Sequence, residues 1–259
     1  TPTSGVGTWR VISGSATISN PNNPATTLKA VGFGTNDLQW SITNNGACPF
    51  TSATMTIIVD PAPSIALAGP NQTLCIQNPT TTLAGNTPTS GVGTWSVISG
   101  SATISNPNNP TTTLTAVGLG TNVLQWSITN NGACPFTSAT MTIIVDPAPS
   151  VATAGSNQTV CISSPTTTMA GNTPTTGVGT WSVISGSGTI TSPNNPTTTV
   201  TGLGLGINVL QWSIANGVCA TTSATMSVQV DNLPTVASAG PSQTLCISSP
   251  SLKMEGNIP

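Results

Sequence analysis

The chain has 259 residues, of which 36% are hydrophobic and 3% are charged, with 3 Lys and Arg, 5 Asp and Glu and no His. Since about a quarter of the residues are charged in soluble globular domains, this composition excludes a basic surface for nucleic acid and an electrostatic membrane anchor. Without His no Ser-His-Asp or Cys-His constellation can form, so the sequence predicts no enzyme activity and no cofactor.

The sequence is a tandem repeat with a period of 86 residues. The motif Gly-Val-Gly-Thr-Trp ends at Trp9, Trp95 and Trp181, which are 86 residues apart each time. This period is too long for a solenoid unit and suits one small domain per repeat. Residues 1–60 and 87–146 differ at only five positions. Such duplication favours a structural or multivalent role, because an enzyme needs one good site.

The repeat limits predict four segments in the chain. Complete repeats occupy 61–146 and 147–231, with partial repeats at 1–60 and 232–259. The partial repeats complement each other in register, which suggests a window from a longer array. Pro-rich junctions are expected to hold the linkers extended. No run of about 18 apolar residues occurs, so we predict no membrane insertion in this segment.

Each repeat is predicted to be all-β. Thr- and Val-rich stretches alternate in polarity between Gly and Pro turns, and no helical period is present. Seven or eight short strands in one repeat predict an immunoglobulin-like β-sandwich. In the repeat at 61–146 the predicted strands cover 65–68, 72–76, 80–84, 93–98, 102–104, 111–116, 122–129 and 138–145.

The tryptophans are predicted to be core anchors. Alternation along the strands points them inward, which favours core packing over stacking on sugars. The six anchors are Trp9, Trp40, Trp95, Trp126, Trp181 and Trp212.

Two charged residues test which strand positions face solvent, because burying a charge carries a large desolvation cost. Arg10 and Asp37 occupy outward positions on neighbouring predicted strands. In the later repeats both are replaced together, Arg10 by Ser and Asp37 by Val. We therefore predict that Arg10 and Asp37 are cross-strand neighbours.

Six cysteines recur in register, at Cys48, Cys75, Cys134, Cys161, Cys219 and Cys246. None forms a Cys-x-x-Cys pair, so disulfides in an extracellular place are favoured over zinc. Keeping each bridge within one repeat pairs Cys75 with Cys134 and closes a loop of about 60 residues. The next repeat would pair Cys161 with Cys219. An alternative pairs cysteines 27 residues apart, such as Cys48 with Cys75, and staples adjacent repeats.

Each junction carries one acidic residue, at Asp60, Asp146 and Asp231. A single carboxylate with carbonyl oxygens could hold only a weak Ca²⁺, and an Asp before Pro or Asn is typical of turn chemistry. We therefore predict no metal site.

Several stretches resemble PKD-type immunoglobulin-like domains. They are Gly-Thr-Trp at 93–95, Asn-Val-Leu-Gln-Trp-Ser-Ile-Thr-Asn at 122–130 and Ser-Ala-Thr-Met-Thr-Ile-Ile-Val at 138–145. The stretch 68–75 resembles repeats of very long secreted surface proteins of Bacteroidota, including gliding-motility adhesins. The resemblance implies a secreted, cell-surface location. The Asp- and Gly-rich turn common in PKD domains is replaced at 97–100, so no calcium site is carried over.

These observations predict a non-catalytic shaft, stalk or filament segment of a long extracellular repeat adhesin. One alternative is a self-assembling surface filament or coat in which the repeats make lateral contacts, since a nearly neutral surface does little to keep copies apart. A second alternative is a glycan-binding module. The partners considered are therefore further copies of the chain and surface glycans, and not nucleic acid.

Overall fold

The computed structural model describes residues 4–44, 46–130, 132–248 and 250–258. Every regular element within these residues is a β-strand, and nineteen strands follow one another in chain order. The all-β fold predicted from the alternating polarity is confirmed.

The chain divides into two compact units. The first comprises Thr1–Leu74 and Asn78–Val145, and the second comprises Cys75–Gln77 and Asp146–Pro259. The repeat limits drawn from the sequence period stay predictions.

The first partial repeat forms two ladders. One is an antiparallel sheet in the order β1, β4, β5, and the other pairs β2 with β3. These strands are β1 (Val6–Ser13), β2 (Thr17–Ile18), β3 (Leu28–Lys29), β4 (Gly34–Thr43) and β5 (Thr51–Val59).

The repeat at 61–146 forms two sheets. The larger has the order β6, β12, β11, β8, and the smaller has the order β7, β10, β9. The strands are β6 (Gln72–Cys75), β7 (Thr81–Thr82), β8 (Val92–Ser99), β9 (Thr103–Ile104), β10 (Thr113–Thr115), β11 (Gly120–Thr129) and β12 (Thr137–Asp146).

The repeat at 147–231 has the same arrangement, with sheets in the orders β13, β19, β18, β15 and β14, β17, β16. Its first strand, β13, runs parallel to its last strand, β19. The strands are β13 (Gln158–Cys161), β14 (Thr167–Thr168), β15 (Val178–Ser185), β16 (Thr189–Ile190), β17 (Thr199–Thr201), β18 (Gly206–Ala215) and β19 (Thr222–Asp231).

The core of a complete repeat is built around two tryptophans on adjacent strands. Trp95 on β8 lies directly opposite Trp126 on β11, and their ring centroids are 5.2 Å apart. Two residues before Trp95, a Cβ built on Gly93 would lie 2.0 Å from Cζ2 of Trp126. Glycine therefore allows the indole ring to pack against the backbone of β8. Trp181 and Trp212 repeat this arrangement.

The predicted core anchors fall into two groups. The four in the complete repeats are fully buried, at Trp95, Trp126, Trp181 and Trp212. Trp9 and Trp40 also lie opposite each other and are half-buried, and their role as core anchors stays a prediction.

Residues 61–86, which precede the part of the repeat at 61–146 that aligns with residues 1–60, are called the opening segment. Ala66, Ala68 and Leu83 of this segment are buried in the core of the repeat, in the same cluster as Met141.

The opening segment forms no strand before β6, which corrects the edge strand predicted at 65–68. The N–H of Ala66 donates to Oγ1 of Thr137 at 3.1 Å, and the N–H of Leu67 donates to Oδ1 of Asn86 at 2.8 Å. Because side chains satisfy these donors, no backbone ladder forms. Ala66 is nevertheless buried in the core.

A buried asparagine forms a polar contact that the polarity pattern does not reveal. Oδ1 of Asn122 accepts the N–H of Ser101 at 2.9 Å, and its Nδ2 donates to the carbonyls of Gly118 at 2.7 Å and Gly120 at 3.1 Å. Buried amides need such partners. Asn122 thereby ties the loop before β11 to the turn after β8.

Candidate functional site

The junction aspartates are turned onto a β-hairpin of the repeat that follows them. This hairpin, β11 with β12 or β18 with β19, is called the closing hairpin. Oδ2 of Asp60 accepts the N–H of Ala133 at 2.8 Å, and Oδ2 of Asp146 accepts the N–H of Val218 at 3.2 Å. Each carboxylate therefore satisfies a backbone donor in the turn of a closing hairpin far along the chain, and the local turn chemistry expected within its own linker is not what these bonds provide.

The turn glycines make room for these carboxylates. A Cβ on Gly132 would lie 2.4 Å from Oδ2 of Asp60, and a Cβ on Gly217 would overlap Oδ2 of Asp146. Gly217 also has a positive φ of 50°, which favours glycine. The Asn131-Gly132 turn suggested by the sequence falls partly outside the described residues, because Asn131 is not among them.

Side chains of the closing hairpin also bind the linker. Nδ2 of Asn216 donates to the carbonyl of Pro147 at 2.8 Å, and Oγ1 of Thr222 donates to the carbonyl of Ser150 at 2.6 Å. Asn130 makes the equivalent bond at the first junction. The linker is therefore held against the closing hairpin by hydrogen bonds.

One disulfide joins Cys75 to Cys219, with 4.9 Å between the Cα atoms. Both cysteines belong to the second compact unit. Because Cys75 is bonded to Cys219, the predicted pairing of Cys75 with Cys134 is wrong. The pairing of Cys161 with Cys219 is wrong as well, and so is the scheme of cysteines 27 residues apart. The free thiols are Cys48, Cys134, Cys161 and Cys246.

The strand arrangement explains why a bridge within one repeat fails. Cys161 lies opposite Asp231, the last residue of β19, whereas Cys219 comes before the first residue of that strand. β19 has ten residues, so its first and last residues lie about 30 Å apart. A disulfide needs Cα atoms within about 7 Å, so the two cysteines of one repeat cannot meet.

The junction instead brings Cys75 to the following repeat. The N–H of Ile76 donates to the carbonyl of Asp146 at 2.9 Å. The carboxylate of the same Asp146 binds Val218, the neighbour of Cys219. One aspartate therefore contacts the residues next to both cysteines, which places the two sulfur atoms within bonding distance.

Two of the free thiols have a hydroxyl neighbour. Oγ of Ser163 donates to Sγ of Cys161 at 3.2 Å, and this hydrogen bond lowers the pKa of the Cys161 thiol. Ser248 lowers the pKa of Cys246 in the same way. The hydroxyl favours the thiolate, the form that reacts in thiol chemistry.

This hydrogen bond leads to a prediction about alkylation. Removing the donor with Ser163→Ala should raise the pKa of Cys161, so the rise of its iodoacetamide reaction rate with pH should move to higher pH. The thiolate fraction at a pH below the new midpoint then falls. The rate profile of the Cys161 peptide, followed by mass spectrometry, checks this. Ser164→Ala is the control, and an equal shift in both variants would contradict the role of Ser163.

The predicted pair Arg10 and Asp37 lies on adjacent strands of one sheet but is not directly paired. Arg10 is opposite Gln39, and Asp37 is opposite Ser13, because the register shifts near the end of β1. Asp37 instead accepts a hydrogen bond from Oγ1 of Thr56 at 2.7 Å. The two residues are offset along the ladder, and their cross-strand pairing stays a prediction.

Among the described residues, no three His, Cys, Asp or Glu side chains come together as metal ligands. The described part of the chain also holds no helix long and apolar enough to cross a lipid bilayer. Asp231, the third junction acid, accepts a hydrogen bond from Nε2 of Gln229 at 3.1 Å.

No protein-family model and no curated protein matches the sequence. Among solved structures, the chain is similar to a three-domain immunoglobulin segment of titin, with a TM-score of 0.50, 14% identity and coverage of 87% of each chain. It also matches extracellular domains 3–5 of Drosophila OTK, with a TM-score of 0.47, 12% identity and coverage of 87% of this chain and 85% of that one.

A further match is to immunoglobulin domains 1–4 of Sidekick-1, with a TM-score of 0.43, 12% identity and coverage of 87% and 67%. At such identities a likeness concerns the fold. The titin match and the sheets described above define the chain as a series of tandem immunoglobulin-like β-sandwiches. The predicted fold class is confirmed.

Proposed function

We propose that the chain is a non-catalytic segment of a long extracellular repeat adhesin and serves as its shaft, stalk or filament. One observation carries the proposal: the junction at Asp146 is fixed by a carboxylate, by a backbone hydrogen bond and by the Cys75–Cys219 disulfide. A binding or catalytic domain does not need a covalent bond from one repeat to the next. A segment under tension benefits from it.

The covalent path explains the benefit. A pull on the two ends of the chain runs to Cys75, crosses the disulfide and leaves from Cys219. Residues 76–218 carry none of this force while the bond is intact. The bond thus protects most of two repeats from being pulled open.

The disulfide and the composition support an extracellular place. Disulfides persist in oxidising surroundings, and a surface of Thr, Ser and Asn with 3% charge is hydrated without electrostatic attraction to nucleic acid. The resemblance to repeats of Bacteroidota surface proteins supports the adhesin class.

Pulling single molecules by their ends tests the proposal. The disulfide encloses a sequence separation of 144 residues, which corresponds to about 490 Å of extended chain. We expect the oxidised chain to extend about 490 Å less than the reduced chain and to keep the enclosed repeats folded under load. Equal extension of both forms would contradict a tension-bearing role.

As a second proposal, the repeats of neighbouring chains pack side by side into a surface coat. Its support is that the nearly uncharged surface exposes apolar side chains, among them Val92, Ile98 and Ile144. Little repulsion would keep such faces apart. Electron microscopy of the native material separates the two functions: single files of domains support the shaft, and chains packed side by side in register support the coat. Glycan binding gains nothing from the buried tryptophans of the complete repeats.

A further inference from the structure

The junction at Asp146, here called the second junction, depends on an asparagine and a glycine that are adjacent in the sequence. Nδ2 of Asn216 donates to the carbonyl of Pro147 at 2.8 Å. The next residue, Gly217, leaves room for the carboxylate of Asp146, because a Cβ at this position would overlap Oδ2. The φ of Gly217 is 50°, which also favours glycine. The contacts of this junction therefore select Asn followed directly by Gly.

The first junction, at Asp60, places the same two contacts on residues that are not adjacent. Nδ2 of Asn130 donates to the carbonyl of Pro61, and a Cβ on Gly132 would lie against the carboxylate of Asp60. One residue separates Asn130 from Gly132 in the sequence, and the turn of the second junction is shorter by that residue. The shorter turn therefore puts both roles on neighbouring residues.

An asparagine that precedes glycine is prone to lose its side-chain amide. Asparagine is a thermolabile residue, and glycine has no side chain to shield the backbone nitrogen that attacks the amide. Gly217 is exposed, and within the described part of the chain no hydrogen bond engages its backbone N–H. In the first junction the N–H of Gly132 donates to Oδ1 of Asn130 at 3.3 Å. The attacking nitrogen is thus less restrained at Gly217.

We propose that Asn216 is a site of spontaneous deamidation and that its conversion releases the linker of the second junction as the protein ages. Nδ2 of Asn216 is the atom that holds the carbonyl of Pro147, and it is also the atom that the reaction removes. The product has an oxygen in its place, which cannot donate a hydrogen bond. One chemical step therefore ends the linker contact.

The reaction needs only water. The backbone nitrogen of Gly217 attacks Cγ of Asn216, and the new C–N bond closes a succinimide ring. The side-chain amide group leaves with the proton of the Gly217 N–H as ammonia. Water then opens the ring at one of its two carbonyls, which gives aspartate or isoaspartate. No atom is oxidised or reduced.

The new carboxylate also acts on the aspartate of the junction. Oδ2 of Asp146 accepts the N–H of Val218 at 3.2 Å, two residues after Asn216, and the same carboxylate lies against Gly217. Conversion brings a second negative charge close to Asp146, and like charges at short range repel each other. We therefore expect the bond from Val218 to Asp146 to weaken together with the bond to Pro147.

The disulfide keeps the converted junction connected. The N–H of Cys219 donates to the carbonyl of Asn216 at 3.1 Å, and Cys219 is bonded to Cys75. Conversion removes hydrogen bonds and leaves this covalent bond in place, so the junction loosens without coming apart. The inference goes beyond the shaft function, because the reaction proceeds without tension.

Peptide mapping tests the reaction. The oxidised chain of 259 residues is incubated in a mildly alkaline buffer and digested with pepsin in acid, where deamidation stops, and fragment ions locate each converted residue. We expect Asn216 to become aspartate and isoaspartate while Asn130 keeps its amide, because Asn130 binds a linker in the same way but precedes Asn131. Equal conversion of Asn216 and Asn130, or an unchanged Asn216, would overturn the proposal.

Hydrogen exchange tests the release of the linker. Asn216→Asp carries the charge of one product from the start, so the N–H of Val218 should exchange about 10-fold faster than in the parent chain. Asn195→Asp is the matched control. It adds the same charge to an exposed turn, and its carboxylate still accepts both bonds that Thr197 donates to Oδ1 of Asn195 at 3.1 Å.

Slow exchange of the β18 amides shows that each variant is folded. Exchange of the Val218 N–H should be unchanged in Asn195→Asp. The same rate for this N–H in the two variants would overturn the release of the linker, whatever the outcome of the pulling experiment on the shaft.

Discussion

Gly93→Ala is expected to destabilise the repeat at 61–146 by about 3 kcal/mol. The new Cβ would lie 2.0 Å from Cζ2 and 2.3 Å from Cη2 of Trp126, so the ring or the strand must move. Trp126 is fully buried among core side chains, and a close-packed core offers the ring no alternative place. In urea, tryptophan fluorescence should show an early transition for this repeat and an unchanged one for the next.

Two substitutions serve as controls for this prediction. Val92→Ala changes an exposed neighbour on the same strand and should shift the transition little. Gly7→Ala creates the same overlap with Trp40, but Trp40 is only half-buried and has room to move, so the loss should be smaller. A midpoint for Gly93→Ala equal to that of Val92→Ala would contradict the close contact.

Cys219→Ser is expected to cost the second unit about 5 kcal/mol. The lost bond closes a loop with a sequence separation of 144 residues, and the loop-entropy relation gives this magnitude for such a length. Reducing the parent chain should lower its stability by a similar amount. Thermal unfolding of dilute oxidised and reduced chains measures both effects.

The repeat supplies matched controls for the disulfide. Cys134 occupies the position of Cys219 in the preceding repeat, and Cys161 occupies the position of Cys75, yet both are free thiols. Cys134→Ser and Cys161→Ser should therefore leave the dilute chain nearly as stable as before. If Cys134→Ser lowered the free energy of unfolding as much as Cys219→Ser, the result would instead support a disulfide between the two cysteines of one repeat.

Only the position of the junction aspartates could be recognised from the sequence. They stand out because one recurs in each linker. What they bind could not be predicted, because Ala133 and Val218 lie more than 70 residues further along the chain. The sequence pointed to this binding site only through the Asn and Gly that recur in each closing hairpin.

By itself, the sequence determined the all-β fold of immunoglobulin-like repeats, because alternation of polarity and Gly and Pro turns act over a few neighbouring residues. Which cysteines form the disulfide could be determined only from the tertiary structure. β13 runs parallel to β19, so the opening-segment cysteine of a repeat lies at the far end from its own closing hairpin and next to the following one.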